Sequence, residues 1–340
     1  MNKLVFDDKH YCERLSPYLA LIRIPYLTVG GDTAFTNVYL VIDDELVLID
    51  AGPWKLNTVD ILSSSFAQLG FSLSDISKII YTHAHPDHIG GGVQLSKGEW
   101  DFSNLIFYEA IEHVEKFSKF AEKIRSYFRD ISIDYLSLHH QEKEWFLDVI
   151  NTFWHEPEYG EIEIKHGLHD GEIIETGKLK FKVIFTPGHS PWDICLWEEE
   201  QGILFSGDFL MEKSTTLTGG LKGFGSDLIS YESSLKKIKE YLSKGEFIFS
   251  SHGSPIEDGT KLVEYLSGVV KWREKKILDE LSKGICSVVD LTRLFASVDN
   301  KLAFARQVCV TLTHLEKLEK EDNVLRLEDG REILFALKKE

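Results

Sequence analysis

The chain has 340 residues, of which 43% are hydrophobic and 12% aromatic, and a formal charge of −17. That is enough apolar matter for a large core and more length than one domain usually needs. Residues 1–259 hold 23 basic against 41 acidic side chains, whereas residues 260–340 hold 15 against 14, so the first part repels phosphate backbones and anionic membrane surfaces at long range. Small-molecule substrates are expected; membrane and nucleic-acid partners are not.

Cys12, Cys195, Cys286 and Cys309 form no CxxC pair, which argues against a disulfide framework, a zinc ribbon or a thioredoxin-like centre. Charges interrupt the few apolar residues of MNKLVFDDKHYCERL. Neither a signal peptide nor a membrane span is expected there, and the reading is cytoplasmic.

From Tyr18 to Asp50 the apolar runs YLALIRI, NVYLVI and ELVLID, separated by Gly, Asp and Asn, predict successive strands. Leu56, Val59, Leu62, Phe66 and Leu69 share one face of a helix over 56–69, and KIIYT (78–82) reads as a buried strand running into a histidine cluster. After a strand at LIFYEA (105–110), residues 111–155 read as a helical insert rich in aromatics, including Phe117, Phe120, Tyr127, Phe128, Trp145, Phe146, Phe153 and Trp154. At helical spacing such residues are first of all packing, and a cap over a cleft is the second reading.

Strands return at EIEIKHGL and LKFKVIFTP, and again in ICLWEEEQGILFSGD, where the turn around Glu199–Gly202 suggests a hairpin. A helix over 227–242 and the strand EFIFSSHG follow. From 260 onward three helical patterns (260–282, 287–296 and 301–320) precede NVLRLEDGREILFAL, which reads as a hairpin turning at Asp329-Gly330. Three helices and a two-stranded wing make a winged-helix arrangement, and the expected division is 1–259 and 260–340.

The densest chemical signal is Thr82-His83-Ala84-His85-Pro86-Asp87-His88-Ile89-Gly90-Gly91. In a loop leaving a buried strand, alternate side chains could turn His83 and His85 toward one metal and Asp87 and His88 toward another. Imidazole and carboxylate suit zinc, iron and manganese, and each site needs further ligands. Those ligands follow at three predicted strand ends: His189 in FTPGHS, Asp208 in LFSGDF and His252 in IFSSHG.

In that order HxHxDH, GH, GD and HG resemble the metallo-β-lactamase superfamily, over about residues 18–256. The resemblance implies an α+β fold, a four-layer αββα sandwich, carrying the helical insert and the small C-terminal winged-helix domain. It implies two divalent metal ions, zinc first and iron or manganese as alternatives. It also implies His83, His85 and His189 on one metal, Asp87, His88 and His252 on the other, and Asp208 bridging. LIDAGP (48–53) is similar to an early family motif whose aspartate, here Asp50, supports the ligands from behind; a plain strand-end turn is the alternative. WREKKILDEL with HLEKLEKEDNVLRLEDG resembles the tail of the subgroup named after β-lactamase-like protein 2.

Two cations sharing a hydroxide generate a nucleophile near neutral pH and polarise the bond under attack. Asp87 is expected to orient it. Trp192, directly after His189-Ser190-Pro191, either narrows the substrate cleft or packs. The remaining histidines (His10, His113, His139, His140, His155, His166, His169 and His314) are read as ordinary hydrogen-bonded or solvated side chains.

The expected reaction is hydrolysis of an ester, thioester or lactone in a small, apolar acyl substrate. A phosphodiesterase or endoribonuclease of the same fold is the runner-up, since no basic stripe for a polyanion is visible. A non-enzymatic metabolite sensor and a DNA-binding regulator are the rivals from other classes. Over 301–322, Lys301, Arg306, Lys317 and Lys320 are balanced by Glu316, Glu319, Glu321 and Asp322, which disfavours a recognition helix for DNA. The tail either lines the cleft or serves a homodimer interface.

Overall fold

The computed structural model describes residues 11–27, 33–54, 57–134, 144, 146, 147, 161–212, 227–242, 247–329 and 332–338. The first four strands, β1 (Tyr11–Ser16), β2 (Leu19–Leu27), β3 (Thr33–Ile42) and β4 (Leu46–Ile49), are joined antiparallel in chain order. β5 (Ile76–Ile80), β6 (Ser103–Phe107) and β7 (His166–Leu168) then add in parallel, completing a seven-stranded sheet. Parallel neighbours need long crossovers. Helices α1 (Thr58–Leu69) and α2 (Pro86–Leu95) supply the first two, and α3 (Ile111–Glu115) with α4 (Phe117–Asp134) lies within the third.

The second sheet contains β8 (Ile173–Glu175), β9 (Lys180–Phe185), β10 (Ile194–Glu198), β11 (Ile203–Gly207), β12 (Phe247–Ser250) and β13 (Ile256–Glu257), in the order β13-β12-β11-β10-β9-β8. Its one parallel pair, β11 and β12, is bridged by α5 (Leu228–Lys239). Strand periodicity sorts the side chains of this sheet. Val183, Ile194, Leu196, Phe205 and Phe249 join the core shared with Val38, Tyr39 and Leu40 of the first sheet. Their neighbours Ile184, Cys195, Trp197, Leu204 and Ile248 face the other way, onto Leu228, Tyr231, Leu235 and Ile238 of α5 and Leu262, Val263 and Leu266 of α6 (Gly259–Leu281). Tyr39 locks the two sheets together: its ring lies 5.2 Å from Phe205 and 5.4 Å from Phe249, and its hydroxyl donates to the Ser250 carbonyl at 2.7 Å. Helices thus cover two sheets packed face to face, the αββα arrangement the sequence suggested.

After α6 come β14 (Cys286–Ser287), α7 (Val288–Thr292), α8 (Lys301–Lys320), β15 (Val324–Asp329) and β16 (Glu332–Leu337), with the strands in the antiparallel order β14-β16-β15. Val288, Leu291, Phe304, Val308, Leu312 and Phe335 fill the space between them. Lys317 of α8 is buried, 2.7 Å from Glu232 of α5 and 2.5 Å from Glu274 of α6. It is therefore part of the contact between the tail and the sandwich, and the sequence-level view of it as one of a row of cations along 301–322 is corrected.

The structure differs from expectation in four further places. β1 precedes the first predicted strand, because among the side chains described in that segment only Cys12 is buried and its alternation is short. β14, two residues long, adds a third strand to the tail hairpin. In LIFYEA the strand stops at Phe107 and Tyr108–Ala110 form a 3₁₀ turn, while in EIEIKHGL only 166–168 are strand. The insert is helical over 111–134; Phe146 beyond it is buried, and Trp145, Phe153, Trp154, His139, His140 and His155 lie outside the described residues, as do His10 and Gly330.

Candidate metal centre

β5 ends at Ile80, and the chain then runs through His83 to His85, the N-cap of α2, with Pro86 at the first helical position. Proline there is already set to the helical φ and has no N–H to leave unbonded. Asp87 and His88 consequently sit in the first helical turn, which corrects the expectation of an alternating loop. Helix α2 carries Gly90, Gly91 and Gly92 in spite of a cost of roughly 1 kcal/mol each relative to alanine. Contact explains them: a Cβ at Gly91 would stand 1.9 Å from the Ala51 carbonyl oxygen, and one at Gly90 2.2 Å from the Trp54 nitrogen. The helix is thereby pressed onto the 50–54 segment, with the Ala51 N–H donating to the His88 carbonyl at 2.8 Å and the Gly91 N–H to Gly52 at 2.9 Å.

His189 follows β9, Asp208 follows β11 and His252 follows β12, so three strand ends of the second sheet face the motif from the first. Two groups result. His83, His85, His189 and Asp208 each bring one ligand atom within 4.8 Å of the others, and Asp87, His88 and His252 do the same. Asp208 spans both: its Oδ2 is 3.6 Å from His189 Nε2, while its Oδ1 is 3.6 Å from His88 Nε2 and 3.4 Å from His252 Nε2. Asp87 Oδ2 lies 3.3 Å from His252 Nε2.

Asp50 stands behind the cluster. Buried and in the left-handed backbone region (φ 58°), it accepts the Thr82 N–H at 2.8 Å, the Thr82 hydroxyl at 2.9 Å, His88 Nδ1–H at 2.9 Å and the Ser251 hydroxyl at 3.2 Å. A carboxylate only accepts, so the Thr82 proton is committed to it. The Thr82 oxygen is then left to accept from His83 Nδ1, 3.1 Å away. His252 Nδ1–H donates to the Phe35 carbonyl at 2.7 Å. All three rings are thereby fixed with Nε2 directed inward. The buried Nε2 atoms of His83 and His88 and Oδ1 of Asp208 have no hydrogen-bond partner, the state expected of donors shaped for a cation.

Electrostatics agrees. Burial, reinforced by the neighbouring imidazoles, lowers His83 well below the usual histidine range and takes His85 to about 3, so both are neutral. Burial alone would raise Asp87, yet His88 and His252 hold it at about 2, and Asp208 is depressed in the same way. Against the cost of burial, these carboxylates raise His88 and His252 well above the ordinary value. The pocket thus carries positive charge beside its carboxylates, which bound cations can supply while the imidazoles deprotonate.

Sequence reasoning missed Thr82, Ser251 and Asp193. Asp193 is buried, accepts the Ser190 N–H and hydroxyl at 2.6 Å each, and is pushed up to about 6 by burial in spite of those bonds. It shapes the turn carrying His189. Trp192 is buried with its ring stacked on His113 (4.3 Å, 20°) and 5.8 Å from Phe120, so it packs the insert beside His189. His166 pairs with Glu172 and His169 stacks on Tyr108, away from the centre.

The family model described as "Metallo-beta-lactamase superfamily" matches residues 31–252. The chain belongs to that superfamily. Among curated proteins it is similar to "Probable metallo-hydrolase YqjP" of Bacillus subtilis, 25% identical and covering 94% of this chain and 97% of that protein. It is also similar to "Beta-lactamase-like protein 2 homolog" of Caenorhabditis elegans, 26% identical over 73% of this chain and 66% of that protein. "Atrochrysone carboxyl ACP thioesterase" of Aspergillus fumigatus is 26% identical over 72% of this chain and 58% of that protein. Among solved structures, metallo-beta-lactamase family protein TTHA1429 of Thermus thermophilus superposes with a TM-score of 0.75 at 24% identity, covering 96% of this chain and all of that one. The superfamily member described here is a metallo-hydrolase, and no helix among its described residues is long and apolar enough to cross a membrane.

Proposed function

We propose that this metallo-hydrolase cleaves an ester, thioester or lactone bond of a small acyl substrate at a centre of two divalent ions, zinc in the first instance. The observation that carries the reading is the pair of ligand groups sharing Asp208, with bare donor atoms converging between them. His83, His85 and His189 would hold one ion, Asp87, His88 and His252 the other, and Asp208 both. When bound, such ions lower the pKa of water and polarise the bond under attack.

The chain's own residues do the rest. Asp50, Thr82 and the Phe35 carbonyl fix the imidazole tautomers. Asp87, as a carboxylate, accepts a hydrogen bond from the attacking water and so orients it. Trp192, with Phe120 and His113 of the insert, gives an apolar wall beside His189. An acyl substrate is supported by the thioesterase named among the relatives and by the acidic surface, which opposes polyanions. Residues 260–340 are assigned as a winged-helix-like unit and 1–259 as the catalytic one. The four thiols, free in the structure, suit the reducing cytoplasm.

The test is elemental analysis of protein purified without added metal, coupled to hydrolysis of acyl thioesters, lactones, bis-aryl phosphodiesters and short RNA. About two equivalents of metal with acyl turnover is the expected result. Cleavage of RNA or phosphodiesters alone would replace this reading with the phosphodiesterase one.

A further inference from the structure

The first half of β3 extends past the end of β4. Their last pair is Tyr39 with Ile49, after which Asp50, in its left-handed conformation, turns the chain away. One edge of β3 is thereby left open, and the loop after β12 takes it. The Asn37 N–H donates to the Ser251 carbonyl at 2.7 Å, and two residues earlier the Phe35 carbonyl accepts His252 Nδ1–H.

The Asn37 side chain, which is buried, holds the same loop from a second direction. Its amide nitrogen donates to the Ser250 carbonyl at 2.9 Å and to the Gly253 carbonyl at 2.9 Å, which uses both of its protons. Its oxygen accepts Arg23 Nε–H at 3.2 Å from the paired position on β2, and that bond fixes which end of the amide faces the loop. Asn37 thus grips Ser251 and the residues that bracket Ser251 and His252. Of the second ligand group, Asp87 and His88 both sit on α2, and only His252 has to be brought to them from the other sheet. His83, His85 and His189 lie on other segments.

We infer that Asn37 is the positioning residue for His252, and that it sets the metal affinity of the Asp87, His88 and His252 group without setting that of His83, His85 and His189. The inference rests on the two-ion reading. Its basis is a matter of sign: an amide NH2 draws two carbonyl oxygens in, whereas a carboxylate oxygen in its place repels both. Asn37→Asp keeps the acceptor for Arg23 and makes that reversal at almost unchanged volume. Asn37→Ala is milder, because the Tyr39 hydroxyl and Arg23 Nη2 still donate to the Ser250 and Gly253 carbonyls, at 2.7 and 2.8 Å, and the main-chain N–H of residue 37 remains.

The test is titration of metal-free protein with Zn2+ in competition with a chromogenic chelator. Asn37→Asp should weaken one of the two ions ten- to hundred-fold and leave the other within about two-fold, and Asn37→Ala should act in the same direction by less. A double-mutant cycle identifies the weakened ion. Added to His252→Ala, which already breaks the second group, Asn37→Asp should change nothing in the remaining affinity; added to His189→Ala, it should still weaken binding. Equal weakening of both ions, weakening of neither, or a further loss on top of His252→Ala would overturn the inference. Where Asn37→Asp does not fold, Asn37→Ala decides through the same cycle. Should wild type bind fewer ions than two, the two-ion reading fails on its own account. Asn37 is then judged on metal-free protein by nitrogen-edited NMR of His252: its Nδ1–H should be protected from solvent exchange in wild type and lose that protection in Asn37→Asp or Asn37→Ala, and unchanged protection would overturn the inference.

Discussion

Replacing Lys317 by methionine tests whether the tail is held to the sandwich by a buried charge cluster. Lys317 is 8% exposed, while Glu232 and Glu274 are 23% and 16% exposed at 2.7 and 2.5 Å. At an effective dielectric of about 20, each contact amounts to roughly 6 kcal/mol of gross attraction. Desolvation offsets most of this, and the net loss on deleting one partner of such a cluster is about 3 kcal/mol, the lower end of the range because the glutamates keep some water. Burial already raises Glu274 in spite of Lys317, and without the lysine it rises further. A carboxyl whose folded pKa is raised contributes stability below its unfolded pKa and loses it as pH rises through the folded one. The deficit of Lys317→Met, measured by urea unfolding, should therefore be largest at pH 8 and shrink toward pH 5. Lys320→Met, which removes a 58% exposed amine 3.4 Å from Asp227, should cost at most about 1 kcal/mol. Adding Glu232→Gln and Glu274→Gln to Lys317→Met should recover much of the loss. A Lys317→Met protein within about 1 kcal/mol of wild type at pH 8, or no recovery in the triple variant, would refute the reasoning.

Glu316 on the same helix is pushed up to about 7, mainly by burial. Glu316→Gln should stabilise the fold by roughly 1–3 kcal/mol above pH 7, with the gain gone below the unfolded glutamate pKa; a gain independent of pH would contradict this cause. Gly91→Ala drives a methyl to 1.9 Å from the Ala51 carbonyl oxygen, so it should cost more than about 2 kcal/mol and weaken zinc retention, read by denaturation and by competition with a chromogenic chelator. Asp50→Asn swaps a four-fold acceptor for a side chain with one acceptor oxygen, leaving His88 and Thr82 in conflict over it. A ten- to hundred-fold loss of metal affinity is expected, of the order seen when such supports are removed, and unchanged affinity would reduce Asp50 to a turn residue.

How much of this was legible depended on sequence distance. His83, His85, Asp87 and His88 fall within six residues, and His189, Asp208 and His252 each follow a readable apolar run, so the cluster stands out without coordinates. The helical start at Pro86 was present in the sequence but competed with the loop expected after a strand. Thr82, Ser251 and Asp193 were not legible, because each acts through a hydrogen bond made only when distant strand ends meet. The same holds for the tail. Lys317 and Arg306 look alike in the row of charges over 301–322, yet folding buries one between Glu232 and Glu274 and leaves the other exposed. Strands of two or three residues, such as β8, β13 and β14, are too short for periodicity to reveal.

The left-handed backbone at Asp50 shows how the sandwich maintains the centre. A non-glycine residue in that region costs of order 1–3 kcal/mol and persists only where its surroundings over-determine it. Here they do: the Asp50 N–H donates to Ile80 at the end of β5, and its carboxylate takes Thr82 from the same strand end, His88 from α2 and Ser251 after β12. One residue therefore ties together both sheets and the motif helix. None of those bonds requires a cation, so the ligand geometry is set by folding, and metal binding meets rings already turned to receive it. The arrangement also explains why the supporting groups are drawn from the stable strand ends: a tautomer held by a mobile segment would be lost whenever that segment opened.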